Sequence, residues 1–337
     1  MDKDFVKKYG DYVTTGDKIL EIKKGYKTIS ISPSIDLGLG GGIKEGSWMI
    51  LSGPPKGSKT TLAVQIMANC QKEGRKCFYM DVEGRLKEMN FENPDVDPSK
   101  VTVIRSGDAP LPAETFLEIA RKIISEKENE GCVLVIDSVS SLIPSRDLDE
   151  DISGMTRPGL PKILSDFCKK LGQTVPNQKC LVILVTHMIT NTSGYGKSKM
   201  ADSGVKIQFQ ADTRMEIKTI TPWLAGRSTN GSTKEEKEVV GLRVEWDILC
   251  SSIGSPYKTC VSWVRFGRGI DKVQEVMEIG ADIGLISVSG SWYYLDFLQE
   301  DGGERIKFHG QEKAYNYLNE NVEAYETLEK KVREMLF

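Results

Sequence analysis

LSGPPKGSKTT, Leu51 to Thr61, lies between a buried strand and an amphipathic helix. The strand is SWMILS, Ser47 to Ser52. The helix runs from Thr60 to about Glu73, with Leu62, Ala63, Ile66, Met67 and Cys70 on one face and Gly74 as its stop. Gly53, four intervening residues, then Ser58, Lys59 and Thr60 give the spacing of a phosphate-binding loop in the strand–loop–helix context that its chemistry requires. From Gly53 through Pro54, Pro55, Lys56, Gly57, Ser58, Lys59, Thr60 and Thr61 the backbone offers an anion its N–H groups (prolines aside) and a helix N-terminus. Lys59 brings a cation to the γ-phosphate, and the Thr60 hydroxyl is a ligand for Mg²⁺. Ser58 replaces the usual Gly before the lysine, so a positive φ there would carry a steric cost. The plain alternative is a Gly/Pro turn ahead of an ordinary helix. It leaves the coincidence of strand, Lys–Thr pair and helix unexplained.

The 337 residues, 39% of them hydrophobic, suffice for one large domain and one small one. A net charge of −3 excludes a global basic field, so any nucleic-acid contact must come from a local patch or loop. The seven cysteines are scattered and never spaced CxxC. They read as core residues of a reducing compartment, without a disulfide frame or zinc site, and two histidines exclude a His-rich metal centre. MDKDFVKKYGD at the start lacks a signal-peptide core, and the longest apolar run, Leu181 to Val185, is too short to span a bilayer. A soluble, cytoplasmic protein with no membrane partner is expected.

Residues 1–30 are polar, with a short helix expected at Asp4 to Tyr9 and a strand at Lys18 to Ile22. They pack on the main domain or reach a neighbour. Residues 31–46 are a Gly-rich approach whose GGG at 40–42 reads as a tight backbone passage. From 47 to about 186, apolar strands (Lys76 to Asp81, Val101 to Ile104, Cys132 to Asp137, Cys180 to Thr186) alternate with helices (Pro112 to Asn129, Gly159 to Gly172). That is the pattern of a parallel sheet covered on both faces. Strands at Thr213 to Thr219, Leu242 to Ile248 and Lys258 to Val264 lack long helices between them and suit an antiparallel extension, with Ser228 to Lys237 as a hairpin loop. A small domain starts at Gly267, with helices near Lys272 to Ile279, Gln311 to Asn319 and Val322 to Met335 and a strand at Trp292 to Leu295.

Asp137 ends the run VLVI, where a carboxylate meets the opening of the phosphate loop and can hold Mg²⁺. The plain alternative is a cap on the next segment. Asp81 and Glu83, at i and i+2, share a side of an extended segment, and one of them can polarise the water that attacks the γ-phosphate. Thr186 and His187 end the strand CLVILVT, placed to report nucleotide state to the chain beyond that strand. Two long polar segments come next to these strand ends: RDLDEDISGMTRPGLP (Arg146 to Pro161, containing Arg157) and MITNTSGYGKSKMADSGV (Met188 to Val205). The second carries Tyr195, Lys197 and Lys199, with Lys206 just beyond, and suits single-stranded nucleic acid. The first holds more acidic than basic residues, which weakens that reading there. Two solvated loops are the plain alternative.

Together these residues resemble the RecA family of recombinases, above all its phage, UvsX-like branch, over roughly residues 28–337. KTISISPSIDLGLGGGIKEG is similar to the family's approach to the nucleotide site, GPPKGSKT to its Walker A element, and LVIDS to its Walker B strand with Asp137. YMDVEG matches the segment of the catalytic glutamate, which falls on Glu83. His187 takes the position of a switch residue that is Gln in bacterial relatives and His in phage ones. FGRGIDKVQEVMEIGADIGLISVSGSWYY is similar to the start of the family's C-terminal domain, a longer match than any single motif.

Two differences stand out. Bacterial relatives carry two lysines that reach the ATP of an adjacent subunit, whereas CSSIGSPYK here has Cys250 and Ser252 in those places; Lys258 is the favoured replacement, Arg243 and Arg265 on the flanking strands are the alternatives, and otherwise activation across the interface differs. The acidic tail of bacterial relatives has no counterpart before Phe337.

The resemblance implies an α/β RecA-like P-loop NTPase core, mostly parallel with helices on both faces and an antiparallel extension. Residues 31–266 form that core, residues 1–30 an oligomerisation segment, and residues 267–337 a small α+β C-terminal domain. It implies an ATP- and Mg²⁺-dependent, DNA-stimulated ATPase that forms helical filaments on single-stranded DNA and exchanges strands with double-stranded DNA. Mediator and single-strand-binding proteins would be partners, in a bacterial or phage-infected cell. A ring-forming helicase-type motor and a non-catalytic recombination mediator are the alternatives.

Overall fold

Each apolar run that alternates with a helix becomes a strand of one ten-stranded sheet. The structure, a computed structural model, describes residues 7–91, 93–148, 159–190, 199–201, 204–227, 236–299 and 305–336. In chain order the principal elements are α1 (Gly16–Lys24), α2 (Pro33–Leu39), β1 (Ser47–Gly53), α3 (Lys59–Lys72), β2 (Cys77–Asp81), β3 (Val101–Arg105), α4 (Ala113–Ser125), β4 (Val133–Asp137), α5 (Leu160–Leu171), β5 (Leu181–Thr190), β6 (Lys199–Ala201), α6 (Gly204–Gln210), β7 (Thr213–Arg227), β8 (Glu236–Cys250) and β9 (Lys258–Arg265). The order across the sheet is β9–β8–β7–β1–β5–β4–β2–β3. Gly269–Ile270 lies outside β9, and β6 pairs with β5. Strands β7, β1, β5, β4, β2 and β3 run parallel, while β8 and β9 are antiparallel additions.

Side-chain alternation divides the core between two faces. Met49, Leu51, Val133 and Val135 pack with Leu62, Ile66 and Met67 of α3 on one side. Trp48, Ile50, Leu134 and Ile136 pack with Phe116 of α4 and Leu164 and Phe167 of α5 on the other. Burying each such side chain stabilises the fold by roughly 1.5–3 kcal/mol, which is why both faces are apolar and the sheet reads as continuous hydrophobic runs.

Four local expectations need correction. Lys18 to Ile22 is part of helix α1, not a strand, and buries none of its residues. Its Ile19, Leu20 and Ile22 are exposed. The Gly-rich approach contains the helix α2, which Gly40 terminates in the left-handed region (φ 83°). Met188 to Thr190 continue β5 into a short hairpin with β6, and Gly204–Gln210 is helical, so the segment from Met188 to Val205 is not wholly a loop. Strands β7 and β8 each run 15 residues, well beyond the expected ends. The hairpin tip at 228–235 lies outside the described residues, as do 149–158 and the first half of the helix expected at Asp4 to Tyr9.

The C-terminal portion has its own core, formed by α7 (Lys272–Asp282), the three-stranded sheet β10 (Ser287–Ser289), β11 (Trp292–Tyr294) and β12 (Lys307–His309), α8 (Gln311–Glu320) and α9 (Val322–Leu336). Its docking on the sheet domain includes a part-buried hydrogen bond and two ion pairs. Glu275 accepts the Ser34 N–H (3.1 Å), Arg333 pairs with Asp36 (3.3 Å), and Lys272 pairs with Asp95 (2.8 Å).

Candidate nucleotide site

Parallel register brings four chemically distinct strand ends together. Gly53 lies beside His187, Asp81 beside Asp137, and Asp137 beside Val185. The loop leaving β1 turns through Lys56 (φ 57°) and Ser58 (φ 68°), both in the left-handed region. Ser58 therefore occupies the conformation that favours glycine. Gly53 is required by close approach, since a Cβ there would lie 2.6 Å from Cδ1 and 2.8 Å from Cβ of Ile217 in β7. Ser58 makes no side-chain cap on α3. The first N–H groups of that helix, which have no intrahelical acceptor, are thus available at the loop.

Lys59 is buried, and its Nζ donates to the carbonyls of Gly53 (3.0 Å) and Pro54 (2.7 Å). Burial lowers its pKa, while the charges of Asp137 and Glu83 oppose that shift. Thr60 Oγ1 donates to Asp137 Oδ2 at 2.6 Å, and the Tyr79 hydroxyl donates to the same oxygen at 2.7 Å. Burial pushes the Asp137 carboxyl upward against these hydrogen bonds. A hydroxyl that donates one hydrogen keeps its lone pairs. The Thr60–Asp137 pair therefore offers hard oxygen donors suited to Mg²⁺.

Glu83 lies at the centre of a second cluster. Its Oε1 takes the His187 Nε2 (2.8 Å), the Ser138 hydroxyl (2.8 Å) and the Ser141 hydroxyl (3.2 Å), and Arg85 lies 3.5 Å from Oε2. Ser138 follows Asp137 through a cis peptide bond. The His187 backbone N–H donates to Ser140 Oγ at 3.0 Å. Asp81, expected to share a side with Glu83, instead accepts the backbone N–H groups of Arg85 (3.0 Å) and Leu86 (3.2 Å). It shapes the turn that carries Glu83 rather than facing the site. Thr186 is buried, with no partner for its hydroxyl among the described residues.

Of the residues expected to meet DNA, Arg157, Tyr195 and Lys197 lie outside the described residues. Lys199 stands in β6 opposite Thr190, and Lys206 is exposed on α6. The same helix presents Phe209, which is 84% exposed. Lys258 is the exposed first residue of β9. It pairs with Ile248, which pairs with Met215, which lies beside Leu51. The 251–257 connection therefore sits at the end of the sheet opposite the phosphate loop, against α2, where the Ser251 hydroxyl donates to the Leu39 carbonyl (2.9 Å). Arg243 and Arg265 are engaged elsewhere: Arg243 lies over Trp263, and Arg265 pairs with Asp271 between the rings of Trp223 and Tyr315.

Sequence reasoning overlooked Tyr79, Ser138 and Ser141. Ser138 and Ser141 follow Asp137 closely enough to have been suspected. Tyr79 carries no signal that separates it from a core aromatic.

The RecA N-terminal domain model matches residues 2–271, and the RecA C-terminal domain model matches residues 274–336. The chain is similar to the RecA protein of Marinobacter nauticus, at 27% identity over 329 residues, 97% of this chain and 88% of that one. It is likewise similar to the RecA protein of Thermotoga neapolitana, at 28% over 309 residues, 90% of this chain and 82% of that one. A third relative, the RecA protein of Oleidesulfovibrio alaskensis, is 28% identical over 318 residues, 92% of this chain and 84% of that one. Matched from end to end by both domains, the chain belongs to the RecA family of DNA recombinases.

Proposed function

We propose that the chain is an ATP-driven recombinase that assembles as a filament on single-stranded DNA and exchanges strands with a homologous duplex. The observation that carries this reading is the position of His187. It contacts Glu83 in the nucleotide cluster and lies on β5, the strand that continues into the Lys197–Lys199 segment. One side chain thus touches the group assigned to hydrolysis while its strand leads to the group assigned to DNA.

In this reading the α3 N-terminus and Lys59 hold the phosphates, and Thr60 with Asp137 holds Mg²⁺. Bound Mg²⁺ neutralises charge on the phosphate oxygens. Glu83, released from His187, accepts the proton of the attacking water. Lys258, remote from its own phosphate loop, serves the site of a neighbouring subunit. Residues 1–30, with the exposed apolar residues of α1, form the oligomerisation segment, and residues 267–337 form the small second domain. His187 favours the phage branch of the family. The reducing cytoplasm of a bacterial or phage-infected cell is the proposed setting. Among the described residues, no helix is long and apolar enough to cross a membrane.

Electron microscopy with single-stranded DNA and a non-hydrolysable ATP analogue tests the proposal. Extended helical filaments are expected, and closed rings would favour a helicase-type motor.

A further inference from the structure

Tyr79 reaches from the hydrophobic core into the nucleotide site. Its ring is 2% exposed and belongs to the apolar cluster beneath α3, while its hydroxyl donates to Asp137 Oδ2 at 2.7 Å. Thr60 Oγ1, from a different element, donates to that same oxygen at 2.6 Å. Two donors from α3 and β2 on one oxygen restrict rotation of the carboxylate. Thr60 alone would leave it tied to a residue that must itself serve a cation. A phenol held by core packing is the more rigid of the two anchors, because the ring cannot turn without disturbing the cluster.

We infer that Tyr79 is a positioning residue for the metal of the bound nucleotide: its hydroxyl fixes the Asp137 carboxylate so that Thr60 and Asp137 present one preformed oxygen site. The inference rests on the nucleotide-site reading above. The competing explanation is that Asp137 merely satisfies a buried tyrosine hydroxyl, as most such hydroxyls are satisfied. The two differ in what loss of the hydroxyl does to metal affinity. Removing a residue that orients a metal ligand typically costs about 10–100-fold in metal affinity or activity.

Tyr79→Phe retains the ring and deletes only the hydroxyl. Binding of a fluorescent ATP analogue, titrated with Mg²⁺ and repeated in EDTA, reads affinity without turnover. The half-saturating Mg²⁺ concentration is expected to rise about tenfold, with metal-free nucleotide binding unchanged and turnover recovering at saturating Mg²⁺. In an Asp137→Asn background the same substitution should shift Mg²⁺ dependence no further, because Tyr79 acts through that carboxylate. Wild-type Mg²⁺ dependence in Tyr79→Phe overturns the inference, as does an equal loss of binding with and without metal. Wild-type protein that binds the analogue equally in Mg²⁺ and EDTA overturns the nucleotide-site reading itself, and the inference with it.

Discussion

Glu83→Gln separates hydrolysis from binding, and the surroundings of Glu83 set the expected size of the effect. Glu83 Oε1 takes three donors, from His187 (2.8 Å), Ser138 (2.8 Å) and Ser141 (3.2 Å). A glutamine carbonyl accepts the same three, turning its amide towards Arg85. The Arg85 pair is long at 3.5 Å, and its guanidinium is 78% exposed, so its loss costs on the order of 0–1 kcal/mol. Charge-assisted bonds that become neutral weaken by roughly half, and the cluster as a whole should lose about 1–2 kcal/mol. The fold and the nucleotide affinity should therefore survive. Turnover should not, because an amide cannot take the proton from water. Loss of a general base lowers the rate by about 10²–10⁴, or roughly 3–5 kcal/mol in the barrier. Phosphate release with saturating single-stranded DNA, measured beside the Kd of a fluorescent ATP analogue, reads both quantities. Turnover within threefold of wild type, with binding intact, would refute Glu83 as the base. Asp81 is a poor substitute because both of its oxygens already accept backbone N–H groups.

Replacing Lys197, Lys199 and Lys206 together by Ala should weaken single-stranded DNA binding and reduce the slope of log K against log[salt] by about 2, at roughly 0.7 per phosphate contact. An unchanged slope in fluorescence-anisotropy titrations returns the segment to solvent. Lys258→Ala should bind ATP yet lose DNA-stimulated hydrolysis by on the order of 10³. Mixing it with Glu83→Gln protein should restore part of the activity, because each working site then joins an intact Glu83 to a neighbour's intact Lys258; no recovery in the mixture removes Lys258 from the interface. Glu275 carries the clearest pH signature: complete burial raises its pKa from 4.5 to about 8, with Asp36, Cys260 and Tyr325 as titratable neighbours. The folded state keeps a proton that the unfolded chain has lost. Stability therefore falls as pH rises from 4.5 to about 8 and levels above it, by as much as roughly 5 kcal/mol. Urea melts of Glu275→Gln should lack this decline, and a parallel decline in the variant would place the titration elsewhere.

The phosphate loop was legible because its spacing, flanking strand and helix each report the same geometry independently. Parallel strands with continuous apolar runs located Asp137 and His187 at one end of the sheet from sequence alone. Pairwise contacts were less visible. Asp81 and Glu83 share a side only while the chain stays extended, and the turn at Gly84 (φ 64°) ends that relation one residue after Glu83. Lys18 to Ile22 misled because Leu20, Glu21 and Ile22 alternate over three residues, too short a window to distinguish a strand from a helical face. Tyr79 could not be separated from its apolar neighbours, since a hydroxyl inside a core strand reveals its purpose only through the atom it meets.

Strand exchange between circular single-stranded DNA and a homologous linear duplex, in ATP and Mg²⁺, tests the central claim most directly. Wild-type protein is expected to yield nicked circular product. Lys59→Ala should yield none and should lose ATP-dependent DNA binding, since the phosphates lose their buried cation. DNA-stimulated hydrolysis without exchanged product under any loading order, or full exchange by Lys59→Ala, would contradict the account.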